Sequence, residues 1–98
     1  MAVELLFWEG CPSHPEALQE LKEALVALGR SDEVVVREVV DEAQAAVENF
    51  PGSPTLRVDG RDLFPIDDPP GLSCRIYRLA DGRISPTPGV EAIRAALS

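Results

Sequence analysis

The sequence predicts a mixed α/β fold: a central four-stranded mixed sheet flanked by helices. Three observations carry this expectation. Two strand-like runs, Val3-Glu4-Leu5-Leu6-Phe7-Trp8 and Val34 through Val40, enclose a stretch with helical periodicity. An Asp59-Gly60 pair separates two further strand-like segments, Thr55-Leu56-Arg57-Val58 and Arg61-Asp62-Leu63-Phe64. An apolar stripe at helical spacing, Val90, Ile93 and Leu97, closes the chain. A strand-helix-strand order calls for a right-handed crossover between parallel strands. The Asp-Gly pair is a tight-hairpin signal and adds antiparallel strands to the same sheet. The expected order is therefore β-α-β-α-β-β-α.

Each element has its own local reason. The first run is apolar after Glu4 and too short for an independent helix, so it reads as a buried strand. Glu9-Gly10 breaks it, and Cys11-Pro12 looks like a helix start, because proline suits a position whose N–H has no partner. Leu18, Leu21, Leu25 and Leu28 then repeat at three- and four-residue spacing, with Gly29 placed for a left-handed cap. Val34 through Val40 is rich in β-branched residues and reads as a strand. Asp41 can cap a second helix over 42–50, with Gln44 three residues on and Ala43, Ala46, Val47 and Phe50 on one face. Pro51-Gly52-Ser53-Pro54 ends that helix. Residues 65–71 form a loop; residues 73–78 suit a second hairpin, with Asp81-Gly82 as its turn, or else 72–78 suits a short helix. Pro88 starts the last helix, with Thr87 as its cap.

Ninety-eight residues fit one domain, spanning 1–98. Seventeen acidic against nine basic residues leave a net charge of −8. Such a surface repels phosphate backbones and anionic lipid, which argues against nucleic-acid and membrane partners. No apolar run is long enough to span a bilayer, and the first residues lack the basic start and apolar stretch of a signal peptide. The expected location is cytoplasmic. Two cysteines in that setting argue against a structural disulfide framework.

Cys11 follows a strand end and precedes a helix, where unpaired backbone N–H groups and the helix dipole favour thiolate over thiol. A depressed thiol pKa and raised reactivity are the expectation; a small apolar residue packed under Trp8 is the alternative. His14 lies one turn on, within reach of Cys11 as an imidazolium partner or a neutral base, or else as a surface histidine. Nothing in the sequence places an Asp or Asn to orient it, so a Cys–His triad has no support. Cys11, His14 and Cys74, with Asp67 or Asp68, have the residue types of a soft-metal site, but no second Cys-x-x-Cys or histidine pair accompanies them. No metal or other cofactor is expected. Trp8 and Tyr77 suit packing roles better than a cofactor platform.

Two motifs inside this element order carry a resemblance. Phe7-Trp8-Glu9-Gly10-Cys11-Pro12-Ser13-His14 is similar to the Cys-x-x-Cys motif of thioredoxin-like proteins, with histidine in place of the last cysteine. Gly52-Ser53-Pro54-Thr55-Leu56-Arg57-Val58-Asp59-Gly60 is similar to that family's cis-proline loop and following hairpin. Over nearly its whole length the chain resembles the thioredoxin-like fold, most closely its small glutaredoxin-like branch. The resemblance implies thiol–disulfide exchange or monothiol redox chemistry at Cys11, with His14 tuning the thiolate. It implies a substrate-facing set of Trp8, Ser53, Pro54 and Thr55, the Ser53 backbone being open to an extended thiol partner. That partner would be glutathione, acting as co-substrate, or a cysteine-bearing protein. In a glutaredoxin-like layout the loop after the hairpin can bring Cys74 near Cys11 as a resolving thiol. The flanks of Cys74, Leu72 and Ile76, equally permit a buried structural cysteine. A binding module without turnover, with Cys11 as a structural residue or a zinc or mercurial ligand, is the other reading. Oligomeric state is open, although strand 34–40 at a sheet edge offers a pairing surface for a second copy.

Overall fold

A computed structural model describes residues 2–79 and 81–98. In chain order the elements are β1 (Val3–Phe7), α1 (His14–Ala27), β2 (Val34–Glu38), α2 (Glu42–Glu48), β3 (Thr55–Val58), β4 (Arg61–Asp62), β5 (Tyr77–Arg78), β6 (Ile84–Ser85) and α3 (Val90–Leu97). The first four strands form one mixed sheet in the order β2-β1-β3-β4. β1 runs parallel to β2, with Val3 opposite Val34, and antiparallel to β3, with Leu5 opposite Leu56. β3 returns into β4 through Asp59 and Gly60, whose φ angles of 53° and 81° are the left-handed conformations a tight hairpin needs.

The alternation of β1 sorts the core into two layers. Val3 and Leu5 point to one face, where they pack with Ala17, Leu21, Ala24 and Leu25 of α1, Leu56 of β3 and Ile93 of α3. Leu6 points to the other, against Val39, Ala45 and Phe50. Helices α1 and α3 therefore cover one side of the sheet and α2 the other. Val90 and Leu97 flank Ile93 on the same core, as the spacing of the last stripe predicts.

Several boundaries differ from the sequence reading. Helix α1 begins at His14 with Ser13 at its N-cap, and Pro15, not Pro12, occupies its first turn. The Cys11 N–H donates to the Trp8 carbonyl at 3.0 Å, closing a turn that keeps Pro12 outside the helix. At the other end Gly29 has a φ of 69°. Its N–H donates to Val26 and that of Arg30 to Leu25, both at 2.9 Å, a paired closure that satisfies the last carbonyls. β2 stops at Glu38, although the Val39 N–H still donates to the Phe7 carbonyl at 2.7 Å.

Helix α2 keeps its expected cap, with the Gln44 N–H donating to Asp41 Oδ1 at 2.7 Å, but not its expected face. Ala43 and Ala46 are exposed and Val47 is 85% exposed; Ala45 is the buried residue of the helix. The cause is Asn49, whose φ of 53° ends the helix early and swings Phe50 back so that its N–H reaches the Ala45 carbonyl at 2.9 Å. Helical phase is lost at that cap, so Phe50 enters the core without Val47.

Thr87 is not the cap of α3; Gly89 holds that position and has no capping side chain of its own. Glu20 of α1 supplies the cap instead, accepting from the Gly89 N–H at 2.9 Å and the Thr87 hydroxyl at 2.8 Å. A carboxylate is favourable there because it meets the positive end of the helix. Of the two readings of residues 73–78 the hairpin is the one observed, with β5 antiparallel to β6 and Tyr77 opposite Ser85. Among the described residues no helix is long and apolar enough to cross a membrane.

Candidate functional site

The end of β1, the loop before β3 and the segment before β5 converge on Cys11. Trp8 leaves β1 with its N–H donated to Ser53 Oγ at 3.0 Å, which ties the first motif to the second. The Trp8 indole lies across Gly10, where any Cβ would overlap the ring. A side chain at this position would force the indole to move. Trp8 also packs against the Leu6, Val39 and Phe50 layer, the packing role expected of it.

Cys11 follows and is 3% exposed. It forms a disulfide with Cys74, 63 residues on, across a Cα–Cα distance of 5.5 Å, within the usual span for such a bond. The structure thus brings the two cysteines together, and Cys74 is exposed rather than buried as a structural cysteine would be. The donors available at the start of α1 are fewer than the sequence reading assumed, because Pro12 and Pro15 carry no N–H.

The Ser53–Pro54 peptide bond is cis, as the resemblance implies. Ser53, Pro54 and Thr55 are buried. The expectation of an open Ser53 backbone is not met. Its N–H donates to the Ser73 carbonyl at 2.8 Å, and its carbonyl accepts from the Arg75 N–H at 2.8 Å. The chain's own 73–75 segment lies alongside Ser53 as a parallel bridge centred on Cys74. Gly52, with a φ of 145°, allows the approach, since a Cβ there would stand 3.1 Å from Arg75 Cβ and 3.2 Å from Ser73 Oγ. Thr55 turns inward, its hydroxyl donating to the Gly52 carbonyl at 2.6 Å.

Arg75 fixes this segment to the hairpin. Its side chain is 1% exposed and pairs with Asp62 at 2.7 Å. It also donates to the Phe64 carbonyl and, at 3.3 Å, to Thr55 Oγ1, and it lies over the Tyr77 ring at 4.7 Å. A buried charge needs such partners, since an unpaired one would cost several kcal/mol. The Tyr77 hydroxyl donates to the Pro54 carbonyl, and its ring meets Phe64 edge to face. Burial pushes the Tyr77 phenol well above its ordinary pKa, against a smaller opposing pull from Arg75.

His14 is stacked on Phe7, ring centroids 3.9 Å apart, with Nδ1 buried and without a hydrogen-bond partner. Its visible role is packing at the start of α1. Among the described residues no group of three or more His, Cys, Asp or Glu side chains is placed to hold a metal ion. Sequence reasoning missed Arg75, Asp62 and Tyr77 as parts of this assembly. The one available signal was an arginine set directly between Cys74 and the apolar pair Ile76-Tyr77. The site therefore consists of a buried and an exposed cysteine joined beside a cis-proline, with the segment of the second anchored by a buried guanidinium. Comparisons with family models, with curated proteins and with solved structures find no match for the chain.

Proposed function

We propose that this chain is a thioredoxin-like thiol protein whose Cys11–Cys74 couple cycles between dithiol and disulfide by thiol–disulfide exchange. The observation that carries the reading is the union of these two distant cysteines beside the cis Ser53–Pro54 bond. The sheet order β2-β1-β3-β4, with helices on both faces and the cis-proline just before β3, supports the finer fold assignment. In the reductive direction, one protein thiolate attacks a disulfide R–S–S–R and expels one R–S⁻. The other protein thiolate then attacks the resulting mixed disulfide and expels the second. Two electrons pass from the protein to the substrate, and two R–SH and one protein disulfide result. The partner class is a small thiol such as glutathione or a cysteine-bearing protein, in the cytoplasm.

Incubation of the reduced protein with oxidised glutathione tests this. The wild-type chain is expected to release two glutathione molecules per protein and to end as the internal disulfide. Cys11→Ser is expected to stop at a glutathione adduct on Cys74, releasing one. A Cys11→Ser variant that still releases two and carries no adduct contradicts the proposal.

A further inference from the structure

The two cysteines of the couple differ in exposure. Cys11 is 3% exposed, and the backbone N–H and carbonyl of the neighbouring Ser53 are already paired with Ser73 and Arg75, the residues on either side of Cys74. No extended partner can align there while that segment is in place. Cys74 is exposed and borders an open groove lined by Arg75, Ile76, Ile84, Ser85 and Pro86. The rate of exchange depends on which sulfur an attacking thiolate can reach. Building on the exchange reading above, we infer that an external thiolate attacks the Cys74 sulfur and that Cys11 is the leaving thiolate. This reverses the roles that the motif around Cys11 suggests, in which Cys11 attacks and Cys74 resolves.

The incoming R–S⁻ forms a bond to Cys74 Sγ, the Cys74–Cys11 bond breaks, and its electron pair leaves on Cys11. A second R–S⁻ then attacks the R-bearing sulfur, giving R–S–S–R and a Cys74 thiolate, and both protein thiolates take up protons from water. In the opposite direction Cys74 attacks a disulfide and Cys11 resolves it. Cys74 keeps its place after the first cleavage, because the 73–75 segment has anchors independent of the disulfide. These are the two Ser53 backbone bonds and the Arg75 contacts to Asp62, Thr55 and Phe64. Cys11 therefore remains beside the mixed disulfide and recloses on it unless a second thiol arrives.

A pulse of reduced glutathione on the oxidised wild-type protein, quenched at short times with iodoacetamide and mapped by peptide mass spectrometry, tests the assignment. The expected trapped species carries glutathione on Cys74 and the alkyl group on Cys11, exceeding the reverse species by about tenfold or more. Predominance of glutathione on Cys11 overturns the assignment while leaving the exchange reading intact. Absence of the Cys11–Cys74 bond from the oxidised protein, visible before glutathione is added, overturns the exchange reading and this inference with it.

Discussion

Tyr77 is a buried phenol whose hydroxyl is committed to the Pro54 carbonyl, beneath the guanidinium of Arg75. Ionising it would place a negative oxygen against a carbonyl oxygen in a site closed to water, which is why burial raises its pKa. The folded-state pKa lies above the unfolded value of about 10, so the folded protein loses nothing to this group below that pH. Above it the unfolded chain ionises first, and stability falls as pH rises toward the folded-state value. The sequence contains one tyrosine, so its titration is read without assignment. Tyrosinate absorbance is expected to stay absent through pH 10 and to appear together with loss of circular dichroism. Half-ionised Tyr77 at about pH 10 in a fully folded protein would contradict its placement. At Gly10 the indole of Trp8 occupies the space of the missing Cβ.

The 73–75 segment is tied to the strands of the main sheet by the Arg75 side chain. Arg75 joins it to β4 through Asp62 and to the start of β3 through Thr55. Arg75→Leu keeps the bulk but leaves the Asp62 carboxylate facing a site without its cation, a loss of about 3 kcal/mol. The expected result is a lower urea midpoint at unchanged slope; an unchanged midpoint would show that the segment is held by other means. This element was also the least legible in the sequence. The Asp41–Gln44 cap, the Asp59-Gly60 turn, the leucine repeat and Gly29 were readable because each acts within a few residues. The Ser53–Cys74 bridge and the Glu20 cap on Gly89 were not, because their partners lie far apart in the chain and leave no periodic trace. The face of α2 misled for a third reason: left-handed Asn49 broke the phase that placed Val47 with Phe50.

For the whole molecule, the sheet converts sequence distance into proximity. β1 lies between β2 and β3, so the turn after β1 comes to rest beside the loop that enters β3. The 65–78 excursion then returns Cys74 to the same edge. The meeting of the two motifs was legible in outline from the element order, whereas the return of Cys74 was one of two readings the sequence left open. Occupation of Ser53 by the chain itself was not legible, since it depends on where a proline- and aspartate-rich loop comes down. The consequence is that the Ser53 backbone is paired with the segment that carries Cys74. Equilibrating the folded protein across a series of glutathione redox buffers, then alkylating and weighing it, tests this account most directly. The expected result is one reversible two-electron transition from a doubly alkylated dithiol to an unalkylated Cys11–Cys74 disulfide, with the chain folded at both ends. Two alkylated cysteines in every buffer, or a disulfide that opens only on unfolding, would contradict it.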